Sequence, residues 1–178
     1  MCTVITHPAV PMALSVLLPP EMVSPSLLIA GSACSVIPDL DVIGFSFGVK
    51  YSDMLGHRGL THSLFFAVAL AAATTAIVFY ANAGNHVVIF LFLFLSTLSH
   101  SMLDALTNGG LGVGFFAPFS NKRYFFPYRP IKVSPIGIAG LFSYRGIEAL
   151  LSELKWVWLP SLTFFAAGQL LKRMRDAV

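Results

Sequence analysis

Apolar and small residues fill two long runs of the chain, 64–80 and 87–103, and the short polar stretch 82–86 separates them. Each run reads as one helix. At about 1.5 Å per residue, a seventeen-residue helix reaches roughly 25 Å, close to the thickness of a bilayer core. A tight turn between two antiparallel helices brings the start of the first beside the end of the second. His62, at the start of the first, is therefore expected beside His100 and Asp104, at the end of the second.

The N-terminal pattern repeats this on a smaller scale. Thr6 or His7 precedes an apolar run over 9–18, with Pro8 in its first turn and Pro19-Pro20 ending it. The run is shorter than the roughly 20 residues of an ideal span, so it is expected as a half-buried, re-entrant or tilted helix. Ser24-Pro25 opens a second helix through about Val36, whose Ala30, Gly31, Ser32 and Ala33 suit close packing in lipid. Antiparallel pairing of the two sets His7 near Asp39 and Asp41. Residues 42–56 read as a glycine-rich connection carrying Lys50 and Asp53. Residues 105–147 form the longest non-helical stretch, and a loop of that length is usually functional. An amphipathic stretch from about Ile147 and an apolar run over 156–171 follow, and Lys172-Arg173-Met174-Arg175 closes the chain as an interfacial anchor.

Composition turns these helices into a membrane protein. Of 178 residues, 56% are hydrophobic and 11% charged, where a soluble domain carries about 25% charged residues. Mean hydropathy is +0.79. The expected architecture is a single all-α domain over 1–178: a multi-pass membrane bundle of about four to five helices, with a long loop carrying the basic and aromatic segment. The net charge of +3 is small, and the basic residues sit in loops and at the tail. That suits anionic headgroups or phosphate, and no nucleic-acid partner is expected. Cys2 and Cys34, with no CxxC, exclude a thiolate zinc site and a disulfide framework. No basic segment opens the chain as a signal peptide would.

With both helix pairs antiparallel, His7, Asp39, His62, His100 and Asp104 fall on one face of the bundle. His57, Arg58 and Asp41 lie in the segments beside them, and only His86 sits at the opposite turn. Ionisable groups are expensive at membrane depth, so their gathering points to a site. His100 and Asp104 are four apart on one helix face, a half-site for zinc or a similar divalent ion. Each signal has a plainer reading alone: most HxxxD pairs bind nothing, aspartates cap helix ends, and histidines hydrogen-bond at interfaces. Convergence decides for a site. Lys122, Arg123, Arg129 and Lys132 read either as snorkelling, lipid-facing cations or as a phosphate clamp, with Tyr124, Phe125, Phe126 and Tyr128 at headgroup depth. Arg58 is the better clamp candidate, because it lies inside the polar cluster.

Several motifs now stand in order: His7-Pro8, Pro38-Asp39-Leu40-Asp41, Gly56-His57-Arg58-Gly59-Leu60-Thr61-His62-Ser63, His100-Ser101-Met102-Leu103-Asp104, Thr107-Asn108-Gly109-Gly110, and the stretch from Arg123 to Pro135. Together, over about residues 1–137, they resemble the bacterial LexA-regulated, inner-membrane-bound metal-dependent hydrolase family. Their order is also similar to the helical zinc-dependent phospholipase C and single-strand nuclease superfamily. These resemblances imply His7, Asp39, His57 or His62, His100 and Asp104 as metal ligands, with zinc as the metal. The superfamily has further histidines and a glutamate downstream. Here no histidine follows His100, and Glu148 and Glu153 stand in no such pattern, so one or two ions are expected.

The implied chemistry is hydrolysis of a phosphoester on a phospholipid or lipid-linked phosphodiester at the surface of the bacterial inner membrane. Asp41 or Asp53 would orient or deprotonate the water, Arg58 would neutralise phosphoryl oxygens, and Arg123 and Arg129 would bind substrate. Two other classes compete: a metal-ion transporter, whose ligands belong near the bilayer midplane, and a noncatalytic membrane scaffold.

Overall fold

A computed structural model of the chain describes residues 1–80, 85–135, 140 and 142–177. Among these, six α-helices occur: α1 Ala9–Leu14, α2 Pro25–Cys34, α3 Leu64–Val78, α4 His86–Ala105, α5 Tyr144–Glu153 and α6 Leu159–Asp176. The described residues form no strand, only two isolated bridges, Thr107 with Ile131 and Val113 with Tyr124.

The expected hairpin is α3 and α4. Ser63 caps α3 by accepting a hydrogen bond from the Phe66 amide, and Asn85 caps α4 by accepting from Val87. At the far end, the His86 ring donates from Nε2 to the Phe79 carbonyl at 3.0 Å, which ties the helices together beside their turn. Residues 82–84 of that turn lie outside the described residues. α2 packs against α4 so closely that a Cβ on Gly31 would lie 2.5 Å from the Phe92 ring. Leu27, Cys34, Ala71, Ile89, Phe92 and Leu93 form the apolar core between these three helices.

Three segments differ from the sequence expectation. The run 9–18 splits into α1 and a 3₁₀ turn, Ser15–Leu17. There the Ser15 hydroxyl donates back to the Met12 carbonyl at 2.6 Å, and the two prolines stop any continuation. The start of the glycine-rich connection is helical: Ile37–Phe47 is a 3₁₀ segment bent 41° from α2 and ended by Gly48 at φ +80°. Pro38 lacks the amide that would extend α2, so the chain turns instead. The C-terminal stretch begins at Tyr144, capped by Ser143, and runs without a break through a wide π turn, Leu154–Trp158, into α6. Pro160 removes an amide where the π turn meets α6, which accounts for the widened geometry.

Among the described residues one helix, α4, is long and apolar enough to cross a membrane. α2 and the bent 3₁₀ segment pass the same test together, and α3, at fifteen residues, is shorter. α1 runs parallel to α6: Thr6 meets Trp158 near one end, and Leu18 meets Lys172 at the other. Every sequence-predicted ligand lies at one end of the α3–α4 pair.

Candidate metal centre

Four elements deliver the cluster. His7 precedes α1, Asp39 lies in the first turn of the 3₁₀ segment, His62 ends a 3₁₀ turn before α3, and His100 and Asp104 occupy the last turns of α4. All five side chains are buried. The His100 Nε2 is 3.4 Å from Asp39 Oδ1 and 2.9 Å from His62 Nε2. The His62 Nε2 is 3.7 Å from Asp39 Oδ1 and 3.6 Å from Asp104 Oδ2. Four donor atoms, one each from Asp39, His62, His100 and Asp104, lie within 4.8 Å of one another. Ligands placed about 2.0–2.1 Å from a tetrahedral zinc ion sit roughly 3.3 Å apart, so this group could hold a metal ion. His7 stacks on His100 with ring centroids 3.7 Å apart, and its Nε2 lies 3.9 Å from Asp39 Oδ2.

The imidazoles are aimed by what holds their other nitrogen. His100 Nδ1 is 2.8 Å from the Ser35 carbonyl, which can only accept, so Nδ1 carries the proton. Thr61 gives its hydroxyl proton to Asp41 Oδ2 at 2.7 Å, leaving its oxygen to accept from His62 Nδ1 at 3.0 Å. His57 Nδ1 lies 2.7 Å from Asp41 Oδ1. Asp41 thus orients His57 and His62 together, as carboxylates behind metal-bound histidines do. Asp41, His57 and His62 form a second group with metal-ligand spacing, sharing His62 with the first. Its Asp41 oxygens are already engaged by histidine, threonine and the Arg58 amide.

The charges are unbalanced in a way that suits a cation. Both oxygens of Asp39, both nitrogens of His7, His57 Nε2 and Asp104 Oδ2 are buried without a hydrogen-bond partner. Such groups are costly inside a protein unless something pairs them. Burial disfavours the His62 imidazolium, but the surrounding carboxylates of Asp104, Asp39 and Asp41 outweigh it and push the pKa up to about 10. His7 goes the other way, to about 3, through burial and the neighbouring His100, against the pull of Asp39.

Arg58 braces the centre from one side. Its backbone sits in the left-handed region at φ 65°, a conformation costing on the order of 1 kcal/mol or more for a bulky residue. Its buried side chain holds it there: Nε contacts Asp104 Oδ2 at 2.8 Å, and the terminal nitrogens donate to the Gly109 carbonyl and the Thr107 hydroxyl. The Nε contact is an ion pair rather than an aligned hydrogen bond. Gly110 is required beside it, since at φ +90° a Cβ would lie 2.8 Å from the guanidinium.

The remaining candidates lie outside the cluster. Arg123 is half-buried and donates to the backbone carbonyls of His57, Tyr51 and Asp53. Arg129 is exposed, 4.7 Å above the Phe125 ring. Lys132 pairs with Glu148 at the surface. Asp53 is exposed and accepts from the Lys50 amide.

Some supporting groups escaped the sequence reading. The Cys2 amide donates to Asp104 Oδ1 at 2.7 Å. The segment behind Cys2 is fixed by buried Glu153, whose carboxylate accepts from the Thr3 amide and from the Thr3 and Thr6 hydroxyls. Nothing in the local pattern flags Glu153, because its partners lie about 150 residues away.

Over residues 1–174 the sequence matches the description "YdjM inner membrane protein". The chain belongs to the YdjM inner membrane protein family. It is also 43% identical over 162 residues to inner membrane protein YbcI of Escherichia coli (strain K12), covering 91% of this chain and 94% of that protein. Family membership places the chain in the inner membrane. No solved structure matches it.

Proposed function

We propose that the buried cluster binds one or two divalent ions, zinc foremost, and that the protein hydrolyses a phosphoester on a membrane-associated substrate. The observation that carries this reading is the inward turn of His62 Nε2 and His100 Nε2, 2.9 Å apart, beside Asp39, whose two buried oxygens have no hydrogen-bond partner. The resemblance to LexA-regulated membrane hydrolases and to the zinc-dependent phospholipase C superfamily supports the same chemistry. So does placement in the inner membrane, which puts a phospholipid or lipid-linked phosphodiester within reach.

In this reading Asp39, His62, His100 and Asp104 are the ligands, with His7 and His57 completing the shell. When bound, a divalent ion lowers the pKa of its water toward about 7 and polarises a phosphoryl oxygen. Asp41 holds the tautomers of His57 and His62. Arg58 fixes Asp104 and sets a positive charge where phosphoryl oxygens gain negative charge. Arg123 supports the His57 loop, and Arg129 and Lys122 offer exposed cations to anionic lipid. The polytopic arrangement is part of the same proposal: α3 spans about 22 Å and packs on α4, so the two cross together.

Ligands at helix ends weigh against a transporter, which holds its cargo near the midplane. The test is metal analysis of the purified protein before and after His100→Ala, beside a phosphodiesterase assay with added zinc or manganese. Metal bound by wild type and lost in His100→Ala, with metal-dependent turnover, is expected. Metal loading without turnover of any phosphoester favours the transporter or scaffold reading.

A further inference from the structure

Between α1 and α6 runs an apolar groove of about 310 Å³, within the range of ligand cavities. Pro8, Ala9, Met12 and Ala13 form one wall, and Leu162 and Phe165 the other. The groove is held open by contacts at both ends. At the near end, the Trp158 indole donates to the Thr6 hydroxyl at 3.0 Å and lines the groove. At the far end, a Cβ on Gly168 would lie 2.6 Å from Val16, so the helices touch there and close the channel. Beyond that contact, Lys172 donates to the Leu18 carbonyl.

We infer that this groove seats the acyl chain of the lipid whose phosphoester the metal centre attacks, an inference that rests on the functional reading above. Of the lining side chains only Ser161 offers a hydroxyl, and the indole N–H of Trp158 is already engaged, so a polar ligand finds almost no partners. The outer face of α6 exposes Leu159, Leu170 and Leu171, which in an inner-membrane protein is lipid-facing surface. The groove is continuous with that surface. Its near end begins at Pro8, one residue and about 3.8 Å of backbone from His7, whose ring stacks on His100. A chain lying in the groove with its head toward Trp158 therefore places that head at the His7 end of α1, with the buried ligand side chains behind it. The closed end at Val16 and Gly168 limits how far the tail can enter.

The test uses the full-length protein in phosphatidylethanolamine–phosphatidylglycerol vesicles, doped with phosphatidylglycerol bearing a photoactivatable acyl chain. Peptide mapping is expected to find labelling at Met12, Leu162 and Phe165. Ala13→Trp, which fills the groove, is expected to cut that labelling by about tenfold, the effect of displacing about two buried methylenes. Ser161→Phe approaches from the opposite wall and serves if Ala13→Trp does not insert. Labelling in His100→Ala should persist. Labelling spread evenly over lipid-facing residues such as Phe65 and Leu91, or unchanged in both filling variants, overturns the groove. Groove labelling by wild type without turnover of any phosphoester refutes the catalytic role of the centre and, with it, the assignment of the seated chain to a substrate. Turnover of a long-chain phospholipid at wild-type rate in the filling variants refutes the groove and leaves the metal chemistry standing.

Discussion

His62 and His100 face each other through Nε2 atoms 2.9 Å apart, while each keeps its Nδ1 proton on another partner. Two neutral rings so placed direct lone pairs at one another, and the arrangement holds only with a proton or a cation between them. A metal bound to the folded protein alone stabilises it by mass action, by about 2.7 kcal/mol when free metal exceeds Kd about a hundredfold. For a chain of this size that corresponds to roughly 5–10 °C in Tm. Chelation of the purified protein should lower its Tm by that amount, zinc should restore it, and His62→Ala should melt at the same temperature with or without chelator. A wild-type Tm indifferent to chelator and zinc would remove the metal.

Asp41 acts one step behind the ligands. It accepts from His57 Nδ1 and, with Thr61, fixes the tautomer of His62. Asp41→Asn keeps the shape but places an amide donor against groups that themselves donate. Metal affinity should fall about 10–100-fold, the usual cost of losing an outer-shell partner, without abolishing binding. Competition with a chelator of known affinity measures it, and complete loss of metal would make Asp41 a ligand.

Asp104 has two tasks, which separates its variants from those of His100. Oδ1 accepts from the Cys2 amide, and Oδ2 faces Arg58 and His62. Asp104→Asn removes the charge that balances a fully buried guanidinium, and breaking such a pair costs about 3–5 kcal/mol. The single variant should therefore lose both metal and stability. Arg58→Met combined with Asp104→Asn should recover part of the stability but none of the metal, a non-additive result read from thermal melts of the four proteins.

The α3–α4 hairpin was legible in the sequence because two apolar runs around one short turn leave little choice of pairing. Turn counting alone sufficed to bring His7, Asp39, His62, His100 and Asp104 to one end. The bent 3₁₀ course of residues 37–47 was not legible: the glycines of 42–56 suggested a loose connection, whereas Pro38 starts a tight one. The direction of each imidazole was also hidden, since it depends on the Ser35 carbonyl and on a hydroxyl relay through Thr61, which no spacing encodes. Among the cations, sequence treated Arg123 and Arg129 alike. Only folding shows that one faces backbone carbonyls and the other an aromatic ring.

That difference between Arg123 and Arg129 gives the last prediction. Arg123 places charge-assisted hydrogen bonds on three carbonyls of the loop that presents His57. Each such bond contributes about 1.5–3 kcal/mol. Arg123→Ala should release the loop, and a shifted His57 weakens metal retention even though Arg123 touches no ligand side chain. Arg129 is exposed, and its contact over Phe125 contributes about 0.5–1 kcal/mol at such a site. Arg129→Ala should leave Tm and metal content nearly unchanged. If Arg129 meets anionic lipid, its loss appears instead as weaker binding of phosphatidylglycerol vesicles, an effect that disappears at high salt. Equal losses of metal in the two variants would show that the loop and the exposed cation act as one clamp, contrary to the geometry.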